Sequence, residues 1–146
     1  MYEIKKIVFL CMIFCVAFSA QAQENTSLEL DNHIVYYNVF NSTLIPADVA
    51  KLEGLVRAKN QVYVNVAMVK KTGGNGIAMK VSGVRRNLMQ QSFDLDFIEI
   101  KEAIATYYLA PIRFNNEEIL HIDITVQPLD SEKTTTFTVT KKLYLD

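Results

Sequence analysis

Beyond Ala22 the sequence contains no cysteine. Its two cysteines, Cys11 and Cys15, lie inside an apolar leader, and neither stands behind small residues as a lipid-modified cysteine would. The remainder therefore has no disulfide, no thiolate metal site and no cysteine nucleophile. In an oxidising compartment it must rely on its hydrophobic core. Histidine is almost as scarce: His33 and His121 are far apart in sequence. No serine stands in a Gly-x-Ser-x-Gly elbow. No second long apolar run follows the leader, so nothing else reads as a spanning helix. Repeats and low-complexity stretches are missing too. Neither sign of charge dominates. With Glu3, Lys5 and Lys6 set aside, 13 basic and 15 acidic residues remain. A net charge near −2 argues against general binding to nucleic acid or anionic membranes.

What is present begins with an export signal. Lys5 and Lys6 precede an unbroken apolar run over residues 7–18, and Ser19-Ala20-Gln21-Ala22 ends in the small-x-small pattern that signal peptidase reads. The run is too short for a membrane anchor, which takes ~20 residues. Residues 1–22 are thus expected to be a cleaved signal peptide, and residues 23–146 a single β-sandwich domain with no membrane attachment after cleavage. A chain of that length buries enough surface to be stable without crosslinks.

The rest of the pattern is short apolar segments separated by turn residues, which predicts about seven antiparallel strands. Residues 28–40 form the first strand region, broken near Asp31-Asn32. Residues 46–53 are the one helical candidate, with Pro46 at its start, Asp48 in its first turn and Gly54 at its stop. Val62, Val64, Val66 and Met68 share one face of the next strand. Gly73-Gly74-Asn75-Gly76 reads as a hairpin connection, because the alternating Ile77, Met79 and Val81 follow it rather than a helix. Residues 93–100 switch apolar phase between Phe97 and Ile98, which predicts a bulge or a change of sheet. Pro111 places part of residues 104–114 at an edge or bulge. Leu120, Ile122, Ile124 and Val126 point inward. Phe137, Val139, Leu143 and Leu145 are expected to do the same in the closing strand. The fold expected is an immunoglobulin-like β-sandwich with one short connecting helix, a small β-barrel being the alternative.

Chemistry-bearing residues are few. His121 and Asp123 share a strand face and could supply two corners of a metal site, but two ligands rarely suffice and an ordinary neighbour pair explains them. Met68 and Met79 sit at inward positions and read as core filler. Glu117-Glu118 and the Asp94/Asp96 pair adjoin turns, where carboxylates are normally solvated. Asn25-Thr26-Ser27 and Asn41-Ser42-Thr43 match the glycosylation pattern and read equally as turn chemistry. Arg85-Arg86 reads as solvated surface. No catalytic, cofactor-binding or metal-ligating residue is assigned, and no cofactor is expected. Two polar clusters remain: Asn38, Asn41 and Ser42 with Arg57, Lys59 and Asn60, and the run Asn115, Asn116, Glu117 and Glu118. If the strands after Lys59 and Glu118 are the B and F strands of a sandwich, their leading ends meet at one end of the domain. A salt bridge from Arg57 or Lys59 to Glu117 or Glu118 would then close a clasp; otherwise the groups frame a recognition surface.

These residues carry a resemblance. The run Tyr37-Asn38-Val39-Phe40-Asn41-Ser42-Thr43, then Pro46 and Val49-Ala50, then Arg57-Ala58-Lys59-Asn60, and finally Phe114-Asn115-Asn116-Glu117-Glu118 resembles the bacterial exported proteins grouped as domain of unknown function 4426. The likeness runs over essentially the whole of residues 23–146. It implies a Gram-negative periplasmic protein of unassigned biochemistry, and it supplies no catalytic residue. At most it marks Asn38, Asn41, Arg57, Asn60, Asn116 and Glu117 as a group to test. The function expected is a non-enzymatic binding or assembly module with a protein partner and no nucleic-acid partner. A small-ligand or metal-ion carrier is the alternative, and an enzyme comes third.

Overall fold

The computed structural model describes residues 26–145. The signal peptide expected over residues 1–22, its cleavage point and Asn25 lie outside them.

Alternating valines make the central strand. With Cβ atoms pointing to opposite faces in turn, Val62, Val64, Val66 and Met68 fall on one side of β3 (Gln61–Lys70), and all four are almost wholly buried. β1 (Ser27–Glu29), β2 (His33–Asn41), β3, β6 (Ile98–Lys101) and β7 (Thr106–Arg113) form one antiparallel sheet in the order β1-β2-β3-β7-β6. β4 (Met79–Asn87), β5 (Ser92–Asp94), β8 (Glu118–Pro128) and β9 (Thr135–Leu143) form the second, in the order β5-β4-β8-β9. Lettered from β2, the sheets read A-B-E-D and C′-C-F-G, an immunoglobulin-like arrangement with β3 as B and β8 as F. Neither sheet closes on itself, so the barrel alternative is not formed. The strands beyond the expected seven are β1 and β5, of three residues each.

Two local features differ in kind from their sequence patterns. The glycine-rich segment after β3 does not join partners of one hairpin. A single bridge, Met68 to Ile77, follows the turn, and the chain then crosses to pair Met79 with Pro128 of β8. Gly73 and Gly74 supply the positive φ that the turn needs, 88° and 108°. Leu145, expected inward, is 45% exposed, because β9 ends at Leu143 and the chain leaves the sandwich there. The phase switch at Phe97 and Ile98 marks a change of sheet: β5 belongs to the second sheet and β6 to the first. Pro111 pairs with Tyr63 on one side and lies beyond Leu109, the last residue of β7 paired with β6, so the strand is an edge on its other side.

The main core lies between the sheets. Val35, Val62, Val64, Val66 and Met68 meet Leu120, Ile122, Ile124 and Val126. Tyr108 ties the layers together: its hydroxyl accepts a hydrogen bond from the Met79 N–H at 3.0 Å and donates one to Glu99 at 2.7 Å. A second apolar cluster lies on the outer face of the first sheet. There α1 (Ala47–Glu53), which follows a 3-10 turn at Ser42–Leu44 and stops at Gly54 with φ 67°, packs Ala50, Ile45 and Leu55 over Tyr63, Ile100 and Leu109.

Candidate site at one end of the sandwich

β3 runs antiparallel to β7, so its first residue lies opposite Arg113 at the end of β7, and β8 starts a short turn after Arg113; the leading ends of β3 and β8 therefore lie at the same end. The Phe114 N–H extends the β7 register by donating to the Asn60 carbonyl at 3.0 Å. Asn60 therefore stands beside the 114–118 turn. That turn is shaped locally: the Glu118 carboxylate accepts the Asn115 N–H at 2.8 Å, and Glu117 takes the left-handed conformation at φ 57°. Asn116 Oδ1 accepts the Leu145 N–H at 2.9 Å and anchors the chain after β9.

A cleft of about 370 Å³ opens here, with Asn60, Asn115, Glu118, Arg85 and Arg113 in its walls. Arg85 holds an inward-phase position, opposite Ile122, at the last turn of the core. Its guanidinium crosses the gap between the sheets, donates to the Arg113 carbonyl at 3.0 Å and lies over the Phe93 ring, 4.6 Å from its centre. Arg113 is exposed, and its guanidinium makes no hydrogen bond or ion pair to another described residue. On the far wall Asn87 and Gln91 exchange hydrogen bonds of 2.7 and 3.0 Å across the β4–β5 turn.

A family model, "domain of unknown function (DUF4426)", matches residues 27–146. The chain belongs to the DUF4426 family. A solved family member from Pseudomonas aeruginosa PAO1 is 32% identical, with a TM-score of 0.73 over 82% of this chain and 94% of that one. FetP of uropathogenic Escherichia coli strain F11, expressed in the E. coli periplasm, superposes with a TM-score of 0.57 at 14% identity, over 81% of this chain and 92% of FetP. A copper-bound variant of FetP gives 0.56 at 13%, over 80% and 92%. Identities this low show a shared fold alone. No curated protein matches the sequence.

In this DUF4426 chain the residues of the two polar clusters fall in several places. Asn60, Asn115 and Glu118 line the end cleft, and Asn116 and Glu117 complete its turn. Arg57 and Lys59 sit on the loop entering β3, and Asn41 pairs with Val62 at the same end. The loop is pinned by the buried Ser42, whose hydroxyl donates to the Ala58 carbonyl at 2.9 Å and accepts the Ala58 N–H at 2.8 Å. Arg57 donates to the Thr43 carbonyl at 3.1 Å. With Arg57 turned to Thr43 and Glu118 capping its own turn, no ion pair joins Arg57 or Lys59 to Glu117 or Glu118 among the described residues. Asn38 is elsewhere, opposite Asn65 on the outer face of the first sheet. Arg113 drew no attention in the sequence. Arg85 did carry a signal, a charge in phase with Met79 and Val81, though the Arg85-Arg86 pair reads as surface.

His121 and Asp123 share the outer face of β8 but have separate partners. His121 Nδ1 is 3.0 Å from Thr140 Oγ1. Asp123 accepts 2.6 Å from the Thr138 hydroxyl on one oxygen, and 2.7 and 3.0 Å from Arg86 on the other. The Thr138 hydrogen bond, with Arg86 beside it, holds the Asp123 carboxyl below its ordinary value. A depressed carboxyl stabilises the fold above its unfolded pKa, and that contribution is lost as the pH falls through the folded one. Between pH ~5 and ~2 the melting temperature should therefore fall more steeply in the wild type than in Asp123→Asn. Parallel curves would show that Asp123 contributes nothing to acid sensitivity. Among the described residues, no three His, Cys, Asp or Glu side chains are grouped to hold a metal ion, and no helix is long and apolar enough to cross a membrane.

Proposed function

We propose that this chain is an exported, single-domain protein of the periplasm that works as a non-enzymatic binding module, and that its end cleft receives a carboxylate-bearing segment of a partner protein. The observation that carries the reading is the Arg113 guanidinium, which has no partner among the described residues, beside Arg85 and flanked by the amides of Asn60 and Asn115. Guanidinium and carboxylate form paired, charge-assisted hydrogen bonds, and neighbouring amides extend them. Glu118, already capping its turn, does not offset both arginines. In-cell crosslinking of a tagged protein, read by mass spectrometry, tests this. Arg113→Ala should lose a specific adduct while keeping the wild-type melting temperature, and Arg113→Lys should restore it only in part. Adducts indifferent to Arg113 would end the reading. The same preparation tests export: the periplasmic protein should begin at Gln23, and a mass retaining residues 1–22 would refute cleavage.

A metal-ion carrier is the second reading. It is supported by the likeness to FetP, of which a copper-bound variant is known. It is also supported by His33, which is 4% exposed, with Nε2 lying 3.3 Å from Asp130 Oδ1 but not hydrogen-bonded to it. Copper titration of the wild type, His33→Ala and His121→Ala decides whether either imidazole is a ligand.

A further inference from the structure

β5 is an edge strand of the second sheet, and its middle residue, Phe93, also stands in the wall of the end cleft. The ladder to β4 shows which backbone groups of β5 are in use. The Gln91 carbonyl accepts the Asn87 N–H at 3.2 Å, and the Leu95 N–H donates to the Gly83 carbonyl at 2.9 Å. Bonded and unbonded positions alternate along an antiparallel strand, so Phe93 faces β4 as well, while Ser92 and Asp94 turn their N–H and C=O groups away from it. None of these four groups is hydrogen-bonded to another described residue, and all three residues of β5 are exposed. A row of free N–H and C=O groups is a template for a further strand. Direction follows from the same ladder. Ser92 pairs with Arg86 near the end of β4, and Asp94 with Val84 farther in. A strand added antiparallel to β5 therefore runs toward the cleft and ends in it. Positive charge stands there: Arg113, with no partner among the described residues, and Arg85, whose guanidinium lies 4.6 Å from the Phe93 ring centre and 3.0 Å from the Arg113 carbonyl. Glu118 is the one acid among the described residues lining the cleft, and the Asn115 N–H already holds it.

We propose that β5 receives the free C-terminus of a partner protein as an added antiparallel strand, with the terminal carboxylate held by Arg113. This rests on the reading of the end cleft as a carboxylate site and narrows it from any acidic segment to a chain end. Main-chain hydrogen bonds along an open edge supply affinity, and the side chains opposite supply specificity. A chain end carries its carboxylate in line with the strand, whereas an aspartate or glutamate within a paired strand projects it perpendicular to the sheet. With the last residue opposite Ser92, the next-to-last lies opposite Phe93 and the one before it opposite Asp94. Residues directly opposite share a face of the sheet and interact. The residue opposite Phe93 is therefore apolar, against a ring that is 47% exposed, and the one opposite Asp94 is basic.

The probe is the peptide acetyl-Ser-Thr-Val-Lys-Phe-Thr with a free C-terminal carboxylate, titrated into the protein by calorimetry. It should bind with a Kd of roughly 0.1 mM. The same peptide as its C-terminal amide should bind at least ~10-fold more weakly, and so should the acid to Arg113→Ala, an exposed change. N-methylation of the peptide's lysine, whose N–H points at the Asp94 carbonyl, should abolish binding. N-methylation of its phenylalanine, whose N–H points away from β5, should leave binding intact. Two failures are distinguishable. If the acid and the amide bind alike and Arg113→Ala binds both as the wild type does, the reading of the cleft fails together with this proposal. If binding needs Arg113, but an amidated peptide with an internal glutamate binds as tightly as the free acid, the cleft reading stands and capture of a chain end is overturned. Methylation of the lysine proving as harmless as that of the phenylalanine would overturn strand addition in the same way. No binding of the acid at about 1 mM would also overturn the proposal, while adducts lost in Arg113→Ala would keep the cleft reading.

Discussion

Ile122→Ala is expected to lower the unfolding free energy by about 2–5 kcal/mol, the cost of emptying a fully buried branched side chain. Ile122 has no exposure, stands between Arg85 and Val139 in the second sheet, and belongs to the cluster that joins the two sheets. The cavity left by the alanine cannot be filled by collapse, because both walls are sheets held in register by their ladders. Thr125→Ala, three residues on, removes a half-exposed side chain whose hydroxyl is 2.7 Å from Thr136 Oγ1 at the surface. It should cost about 0.5 kcal/mol or less. Chemical denaturation of the two variants, with unchanged slopes, reads the difference directly. Equal costs would mean that the inward face of β8 is not Leu120, Ile122, Ile124 and Val126.

That face was legible because β8 obeys the simplest rule available to a strand, strict alternation over a half-buried length. The same rule located β3 and the inward half of β9, and the broken phase at Phe97 and Ile98 announced the change of sheet. It failed where the chain stops being a strand: Leu145 keeps the phase of Leu143, but β9 no longer holds it. It was silent about the outer face of β3. Tyr63, Asn65 and Ala67 alternate with the valines, but only the docking of α1 turns Tyr63 into a second core and leaves Asn65 at a cavity. The end cleft was half legible. Topology put the leading ends of β3 and β8 together, so Asn60, Asn115 and Glu118 meet as the B and F assignment requires. The clasp between Arg57 or Lys59 and Glu117 or Glu118 did not form, because local partners compete with distant ones for polar side chains. Thr43 takes Arg57, and the Asn115 N–H takes Glu118. Arg113 has no sequence signature at all; its place in the cleft comes from the pairing of β7 with β3.

Gly76→Ala should destabilise the protein by about 3 kcal/mol, at the upper end of overpacking costs. An added Cβ would lie 2.7 Å from the Thr106 nitrogen, 2.9 Å from Ala105 Cα and 3.2 Å from the Ala105 carbonyl carbon. All three are backbone atoms at the entry to β7, so no side chain can swing aside. Moving away is costly as well. The Gly76 N–H donates to the Ile104 carbonyl at 2.8 Å, and Ala105 O accepts from the Glu102 N–H at 2.8 Å, so the two turns are bonded to each other and within themselves. One residue on, the Ile77 N–H reaches Met68 O at 2.9 Å and closes the single bridge before the chain crosses between sheets. A displaced Gly76 should therefore loosen that bridge, and hydrogen exchange at the Ile77 amide should quicken in the variant beyond the change in global stability. Gly74→Ala is the control. Its added Cβ meets open space, but its φ of 108° strains any side chain, so it should cost only about 1 kcal/mol and leave the Ile77 amide protected. If Gly76→Ala is as mild as Gly74→Ala, the close approach of the 73–76 turn to the 102–106 turn does not exist in solution.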